Sequence, residues 1–460
     1  MRCPPGLSAG MTPDLVRTYA RPVPRYTSYP TAPHFHAGIG AARAGAWLAA
    51  LPAASRLSLY VHVPFCRSLC WFCGCHTRIT NRAAPVARYL ETLLAEIALA
   101  AGRLGRGRPV AHIHLGGGSP SLLAPDELRR LAEALHRDFA IAPDAEFAIE
   151  IDPRTIDEAR ARALAEIGVN RASLGVQDFD PAVQHAVNRV QPFELTLRVV
   201  EMLRGRGIAR LNLDLMYGLP LQTVGGFADT VERALALAPD RLALFGYAHV
   251  PWMKKHQALI DAAALPDAWQ RWCQARAAER RLAAAGYAAI GLDHFARPED
   301  PLARAAAAGT LRRNFQGYTA DPADALIGFG ASAIGALPQG YLQNESDLKA
   351  YAEAIAAGRF ATVRGVAFTA EDRLRAAVIE RLMTALAADT GALCRAHGFP
   401  EAHLDAAFAA VDALAADGLA ERSGRVVSIP AEARLFMRTV AACFDAYLAP
   451  TAQPRHAQAV

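Results

Sequence analysis

At 460 residues and 52% hydrophobic, the chain is long enough to bury one full-sized core and a second, smaller one. A formal charge of +5 permits an anionic ligand but gives no reason to expect nucleic acid as a partner. The opening MRCPPGLSAGM holds no apolar core of signal-peptide length, and no later run of roughly 18 apolar residues follows. No membrane association is therefore expected, and the cytoplasm is the expected compartment.

Residues 1–54 read as an irregular, Pro- and Ala-rich N-terminal segment covering a barrel mouth. Strands are then expected at 58–64, 110–115, 146–152, 171–177, 210–217 and 242–249. Helical patterns alternate with them, including APVARYLETLLAEIALAA, PDELRRLAEALHRDF and IDEARARALAEIG. Six βα units in succession predict an α/β fold with a parallel sheet. Six is short of the eight that close a full barrel, so a partial (β/α)6 barrel with an extension is expected over 55–365. From about residue 366 amphipathic helices predominate, and LAERSGRVVSIP reads as a hairpin between the last two. A helical C-terminal domain over 366–460 follows, capping the barrel, with a winged helix as the alternative shape.

The first strand, SLYVHVPF, runs directly into CRSLCWFCGC, which places four of the eight cysteines in ten residues. The other four, Cys3, Cys273, Cys394 and Cys443, are scattered and read as buried or incidental thiols. Cys66, Cys70 and Cys73 have the spacing C-x3-C-x2-C, which gathers three thiolates around one small volume. Zinc accepts thiolates but usually takes two separated pairs, whereas three thiolates on a cubane of four irons leave one iron open to a ligand. Both readings stand at this point. The later strands carry polar groups at the same end. Gly116, Gly117, Gly118 and Ser119 follow the second, Glu150 and Asp152 end the third, and Gln177 ends the fourth. Asp214 lies on the fifth, and Tyr247, Ala248 and His249 on the sixth. Ligands of parallel α/β sheets sit at that end, and burying such groups is costly unless they bind something.

The spacing C-x3-C-x2-C resembles that of the radical S-adenosylmethionine (radical SAM) enzymes. PRYTSYPT, SLYVHVPFC, CGC, HLGGGSP, IEIDPRTI, GVQDF, VNR, LDLMYGLP, YAHVP, LDHFARPED and RNFQGYT further resemble the oxygen-independent coproporphyrinogen III oxidase family, in order from about residue 24 to CFDAYL. The resemblance implies a [4Fe–4S] cluster on Cys66, Cys70 and Cys73. It implies one SAM bound by Tyr60, Gly117, Glu150, Ala248 and Ile334. A second SAM would lie near Phe72, Gly118, Ser119, Gln177, Arg189 and Asp214. Cys75, Tyr60 and Glu150 would serve the chemistry, with Cys75 not a ligand. The implied reaction is oxidative decarboxylation of two propionates of coproporphyrinogen III to vinyl groups, giving protoporphyrinogen IX, by 5'-deoxyadenosyl radical hydrogen abstraction, in haem biosynthesis.

Two SAM per turnover, a reductant protein and a monomer are expected with it. Arg25, Arg297, Arg312 and Arg313 are candidates for the substrate carboxylates. Three departures from the family pattern stand out: Gly246 where asparagine is expected, and Leu115 and Ser119 where tryptophan and threonine are expected. The alternatives are a haem-binding or haem-modifying relative and, in another class, a zinc-bearing regulatory protein.

Overall fold

The computed structural model describes residues 11–448. Twelve strands form one sheet: β1 (Leu57–Val63), β2 (Arg108–Gly117), β3 (Phe139–Ile151), β4 (Arg171–Gln177), β5 (Arg210–Tyr217), β6 (Arg241–Gly246), β7 (Ala288–Ile290), β8 (His294–Ala296), β9 (Ala325–Phe329), β10 (Ile334–Leu337), β11 (Gly340–Asn344) and β12 (Thr362–Ala367). Their spatial order is β12-β11-β10-β9-β1-β2-β3-β4-β5-β6-β8-β7. β1 to β6 pair in parallel, each beside its predecessor, as the six βα units predict. β9 adds a seventh parallel strand on the open side of β1, and antiparallel strands extend both edges. The sheet order does not close, so the barrel is partial.

β1 is buried on both faces at all but one position, the pattern of a strand covered by helices on one side and a barrel interior on the other. The long helix Ala83–Leu104 is tied to it by the Tyr89 hydroxyl, which donates to the His62 carbonyl at 2.7 Å, and buries Leu90, Leu93 and Ile97 fully. β2 and β3 begin earlier than their patterns suggest, at Arg108 and Phe139. The β2–β3 register shifts between Val110 and His112, which absorbs the polar PDA stretch of β3 without ending the strand. β6 stops at Gly246, three residues before the predicted end.

The segment read as irregular contains two helices. Thr12 caps Pro13–Tyr19, with Pro13 at the first helical position, where its missing N–H costs nothing. Ala41–Ala49 is rich in alanine and buries Ala44, Trp47 and Leu48. Between them, the Arg25 Nη2 donates to the Gly246 carbonyl at the carboxyl end of β6, 3.2 Å away. After Ala370 helices predominate, and the expected hairpin pairs Glu421–Ser423 with Val426–Ser428. Cys3 lies outside the described residues. No described helix is long and apolar enough to cross a membrane.

Glu96 is the one acid that the Ala83–Leu104 helix buries, and it ties the helix to the extension. It accepts from the Gly330 N–H at 2.6 Å, Asn344 Nδ2 at 2.7 Å and the Tyr351 hydroxyl at 2.7 Å. Burial lifts its carboxyl to about 7 despite these donors. A raised acid stabilises the fold most when protonated, and that stability is lost as the pH climbs from the ordinary glutamate value through about 7. Glu96→Ala should cost about 3 kcal/mol near pH 5, because three donors lose their acceptor. The gap to the native chain should narrow by pH 8, which denaturant melts at the two pH values would read.

Candidate functional site

The carboxyl ends of the parallel strands open on one cavity of about 370 Å³. Inward-facing residues alternate along each strand and are polar at nearly every step, so the cavity wall is built in layers. The deepest layer is closed by ion pairs. Arg171 Nε donates to Glu146 at 2.8 Å, its Nη2 to Asp300 at 3.1 Å, and Arg241 Nε to Asp300 at 2.7 Å. Above it, Asp214 accepts from Ser173 Oγ at 3.0 Å and Asn212 Nδ2 at 2.8 Å. Burial and the nearby charge of Glu150 lift Asp214 to about 6. Glu150 moves the other way. Burial opposes its ionisation, but His114 Nε2 at 3.1 Å and the Gly117 N–H at 3.0 Å outweigh that and hold it below the ordinary glutamate value.

The cysteine loop forms the cavity rim and is clamped from outside. Trp71 N–H donates to the Val187 carbonyl at 3.0 Å, and Asn188 Nδ2 to the Leu69 carbonyl at 2.8 Å. Gln257 Nε2 reaches the Phe72 carbonyl at 3.1 Å, and Lys254 Nζ the Cys75 carbonyl at 3.1 Å. Donors also point at the sulfurs: Arg154 Nη2 lies 3.3 Å and Arg189 Nη1 3.4 Å from Cys70 Sγ, and Ser119 Oγ 3.6 Å from Cys66 Sγ. Such donors favour thiolates, the form that binds metal. Burial nevertheless pushes the Cys66 thiol up to about 11, while a hydrogen bond with Cys75 brings Cys73 down to about 6.

Of the residues predicted from sequence, Cys66, Cys70, Phe72, Cys73 and Cys75 line the cavity, as do Gly117, Gly118, Ser119, Glu150, Gln177, Arg189 and Asp214. Tyr60 sits one layer beneath, stacked on His114 with ring centroids 5.9 Å apart and its hydroxyl 3.0 Å from His62 Nδ1. Ala248 lies in the loop after β6, and Ile334 opens β10 in the antiparallel extension; neither lines the cavity. Sequence reading missed Arg154, His114, Ser173 and Asn212. All but Arg154 fall on the inward parity of β2, β4 and β5, a period-two signal that was there to be used. Among the candidate arginines, Arg313 lies 4.3 Å over the Tyr318 ring at the cavity wall. Arg297 is at the opposite end of β6, where its Nε meets the Pro239 carbonyl at 3.0 Å, because β8 runs antiparallel to β6 and carries it away. Arg312 is exposed and bonds the Ala323 carbonyl.

The wall has unmet hydrogen-bonding capacity. Gln177 Oε1, Asn212 Oδ1 and Arg189 Nε are buried without a partner, and Gln177 holds a left-handed φ of 70°. Strain and orphaned polar atoms at one place mark a binding wall. A polar ligand bearing an amine and hydroxyl groups would satisfy those atoms, and three thiols flanked by cationic donors suit an iron–sulfur cluster. Among the described residues no three His, Cys, Asp or Glu side chains close on a point that would hold a single metal ion.

The family model described as the Radical SAM superfamily matches residues 60–234. The oxygen-independent coproporphyrinogen III oxidase of Bradyrhizobium diazoefficiens is 53% identical over 452 residues, 98% of this chain and 100% of that protein. The enzyme of the same name from Pseudomonas aeruginosa is 42% identical over 95% of both chains. Among solved structures, the coproporphyrinogen III oxidase of Escherichia coli, described as a radical SAM enzyme, superposes with a TM-score of 0.88 at 39% identity, over 92% of this chain and 98% of that one.

Two glycines hold the rim close to the strands. A Cβ on Gly118 would fall 2.6 Å from the Phe65 carbonyl oxygen and 2.7 Å from its nitrogen, both backbone atoms that cannot turn aside. One on Gly117, at φ 107°, would meet the His62 ring at 2.5 Å. Gly118→Ala should therefore cost about 2 kcal/mol and displace the cysteine loop, seen as a lower melting temperature together with less iron retained after reconstitution.

Proposed function

The chain belongs to the oxygen-independent coproporphyrinogen III oxidases of the Radical SAM superfamily, and on that premise we propose that it decarboxylates two propionates of coproporphyrinogen III to vinyl groups, giving protoporphyrinogen IX in haem biosynthesis. Each propionate side chain loses one hydrogen atom, carbon dioxide and one electron. A [4Fe–4S] cluster and SAM, once bound, supply a carbon-centred radical able to take hydrogen from an unactivated C–H bond. Two SAM per substrate, one for each propionate, and a separate protein reductant complete the proposal.

The observation that carries this reading is the cavity wall, where the cysteine rim and the orphaned acceptors and donors of β4, β5 and Arg189 face one volume. Cys66, Cys70 and Cys73 would hold the cluster, with Arg154 and Arg189 offsetting the charge of the Cys70 thiolate. Glu150, held below the ordinary glutamate value by His114 and Gly117, would accept from the amino N–H groups of a bound SAM. Tyr60 backs it, and the bare backbone at Gly117 admits the ligand closely. Ala248 and Ile334 are assigned to the same SAM by family resemblance alone. Gln177, Arg189 and Asp214, with Phe72, Gly118 and Ser119, are assigned to a second SAM. Asp214 would accept ribose hydroxyls, and Arg189 would donate to a carboxylate.

Cys75 lines the cavity two residues past the last assigned ligand and is assigned to the chemistry rather than to iron. The ion pairs of Arg171 and Arg241 with Glu146 and Asp300 close the end of the cavity opposite the cysteine rim.

Anaerobic turnover of the reconstituted protein with SAM, a strong reductant and coproporphyrinogen III should give protoporphyrinogen IX with about two 5'-deoxyadenosines per product. SAM cleavage with intact porphyrinogen would contradict the substrate. Cys75→Ser should keep the visible absorption of the cluster and lose most turnover. Cys66→Ala, Cys70→Ala or Cys73→Ala should each lose the absorption itself. Loss of iron in Cys75→Ser would instead make Cys75 a ligand.

A further inference from the structure

At the carboxyl end of β3 the chain fixes one guanidinium for which the assigned ligands give no use. β3 ends at Ile151, and Asp152, Pro153 and Arg154 follow in a tight turn. The Thr155 N–H donates to the Asp152 carbonyl at 3.0 Å, and the Arg154 N–H to Asp152 Oδ1 at 3.0 Å, which fixes the backbone. The same carboxylate then takes the side chain. Arg154 Nε donates to Oδ1 at 2.9 Å and Nη2 to Oδ2 at 2.7 Å, a two-point grip that sets the plane of the guanidinium. Both side chains are shielded, at 17% and 11% exposed, and both residues line the cavity. Held in this way, Arg154 Nη2 reaches Cys70 Sγ at 3.3 Å.

The three assigned cluster ligands are not treated alike. Cys66 has a neutral hydroxyl, Ser119 Oγ at 3.6 Å, and Cys73 a hydrogen bond with Cys75. Cys70 has two guanidinium donors, Arg154 and Arg189, the latter through Nη1 at 3.4 Å. Arg189 is divided among several partners. Its Nη2 donates to the Gly175 carbonyl, its Nε is buried without a partner, and it is assigned to the second SAM. Arg154 is committed to Asp152 and Cys70. Asp152 also lies 3.5 Å from Arg189 Nη2, so two guanidiniums share one carboxylate and leave one positive charge beside Cys70. In a shielded wall that charge acts more strongly than it would in water.

We propose that Arg154, positioned by Asp152, raises the reduction potential of the cluster through its contact with Cys70. The inference rests on the cluster reading and deepens it. One-electron reduction adds a negative charge that spreads over the irons and their sulfurs. A cation donating to a ligand sulfur therefore stabilises the reduced form more than the oxidised one. The electron itself comes from the protein reductant, and Arg154 sets how readily it is accepted. Asp152 has a distinct part in this. An untethered guanidinium on a cavity wall would turn toward any anionic ligand that entered, and the two-point grip keeps it on the sulfur. Arg154 acts through Cys70 and is thus a positioning residue.

The test is a redox titration of the anaerobically reconstituted full chain without SAM, followed by electron paramagnetic resonance of the reduced cluster. At a fixed potential, Arg154→Gln should lower the ratio of reduced to oxidised cluster about tenfold, a downward shift of about 59 mV for one electron. Arg154→Lys keeps a cation at the position and should shift the potential less than half as far. Iron and sulfide per chain should match the wild type in both variants. An unchanged potential in Arg154→Gln would overturn the proposal, as would an Arg154→Lys shift equal to it. An Arg154→Gln chain that assembles no cluster would overturn it too, by making Arg154 a requirement for assembly instead. A wild-type chain that assembles no four-iron cluster would overturn the reading on which the proposal rests.

Discussion

Placing charge inside a barrel is expensive unless every charge has a counterpart, and that constraint organises this molecule. On the floor each one has. Arg171, Arg241, Glu146 and Asp300 answer one another and seal the end of the barrel away from the ligands. Toward the rim the balance is left open by stages: Asp214 is satisfied by neutral donors alone, and Gln177 and Asn212 keep idle acceptors. The direction of this gradient gives the barrel its polarity. Stability resides at the closed end, and binding capacity at the open one.

The cysteine loop depends on the same gradient. A loop of ten residues carrying four thiols has no internal reason to adopt one shape. Here its carbonyls are gripped from two sides, by Asn188 and by the loop holding Lys254 and Gln257. Gly118 lets β2 come within backbone contact of Phe65, so the rim rests directly on the sheet. The thiols are consequently held in place by the chain itself, with the guanidinium groups of Arg154 and Arg189 beside Cys70 Sγ. Preorganisation of this kind lets the cofactor supply the chemistry while the chain supplies place and charge.

Much of this was legible in the sequence, for identifiable reasons. The six parallel strands could be read because each is a short apolar run between amphipathic helices, and the run ends set the site. Cys66, Cys70 and Cys73 announced themselves by spacing, and Glu150, Gln177 and Asp214 by standing at the same strand end. What escaped was tertiary. Ala41–Ala49 looked loose because alanine and proline dominate its neighbourhood, and only packing of Trp47 and Leu48 fixes it as a helix. Arg297 seemed a ligand for substrate because its motif is distinctive, yet the antiparallel return of β8 takes it to the far end.

The central claim is that three thiolates hold a cluster with one iron left for SAM. Mössbauer spectroscopy of the anaerobically reconstituted, 57Fe-labelled chain, with and without SAM, addresses it most directly. The expected spectrum contains one iron distinct from the other three whose signal shifts when SAM is added. Four equivalent irons insensitive to SAM, or a chain that retains zinc and no iron, would contradict it.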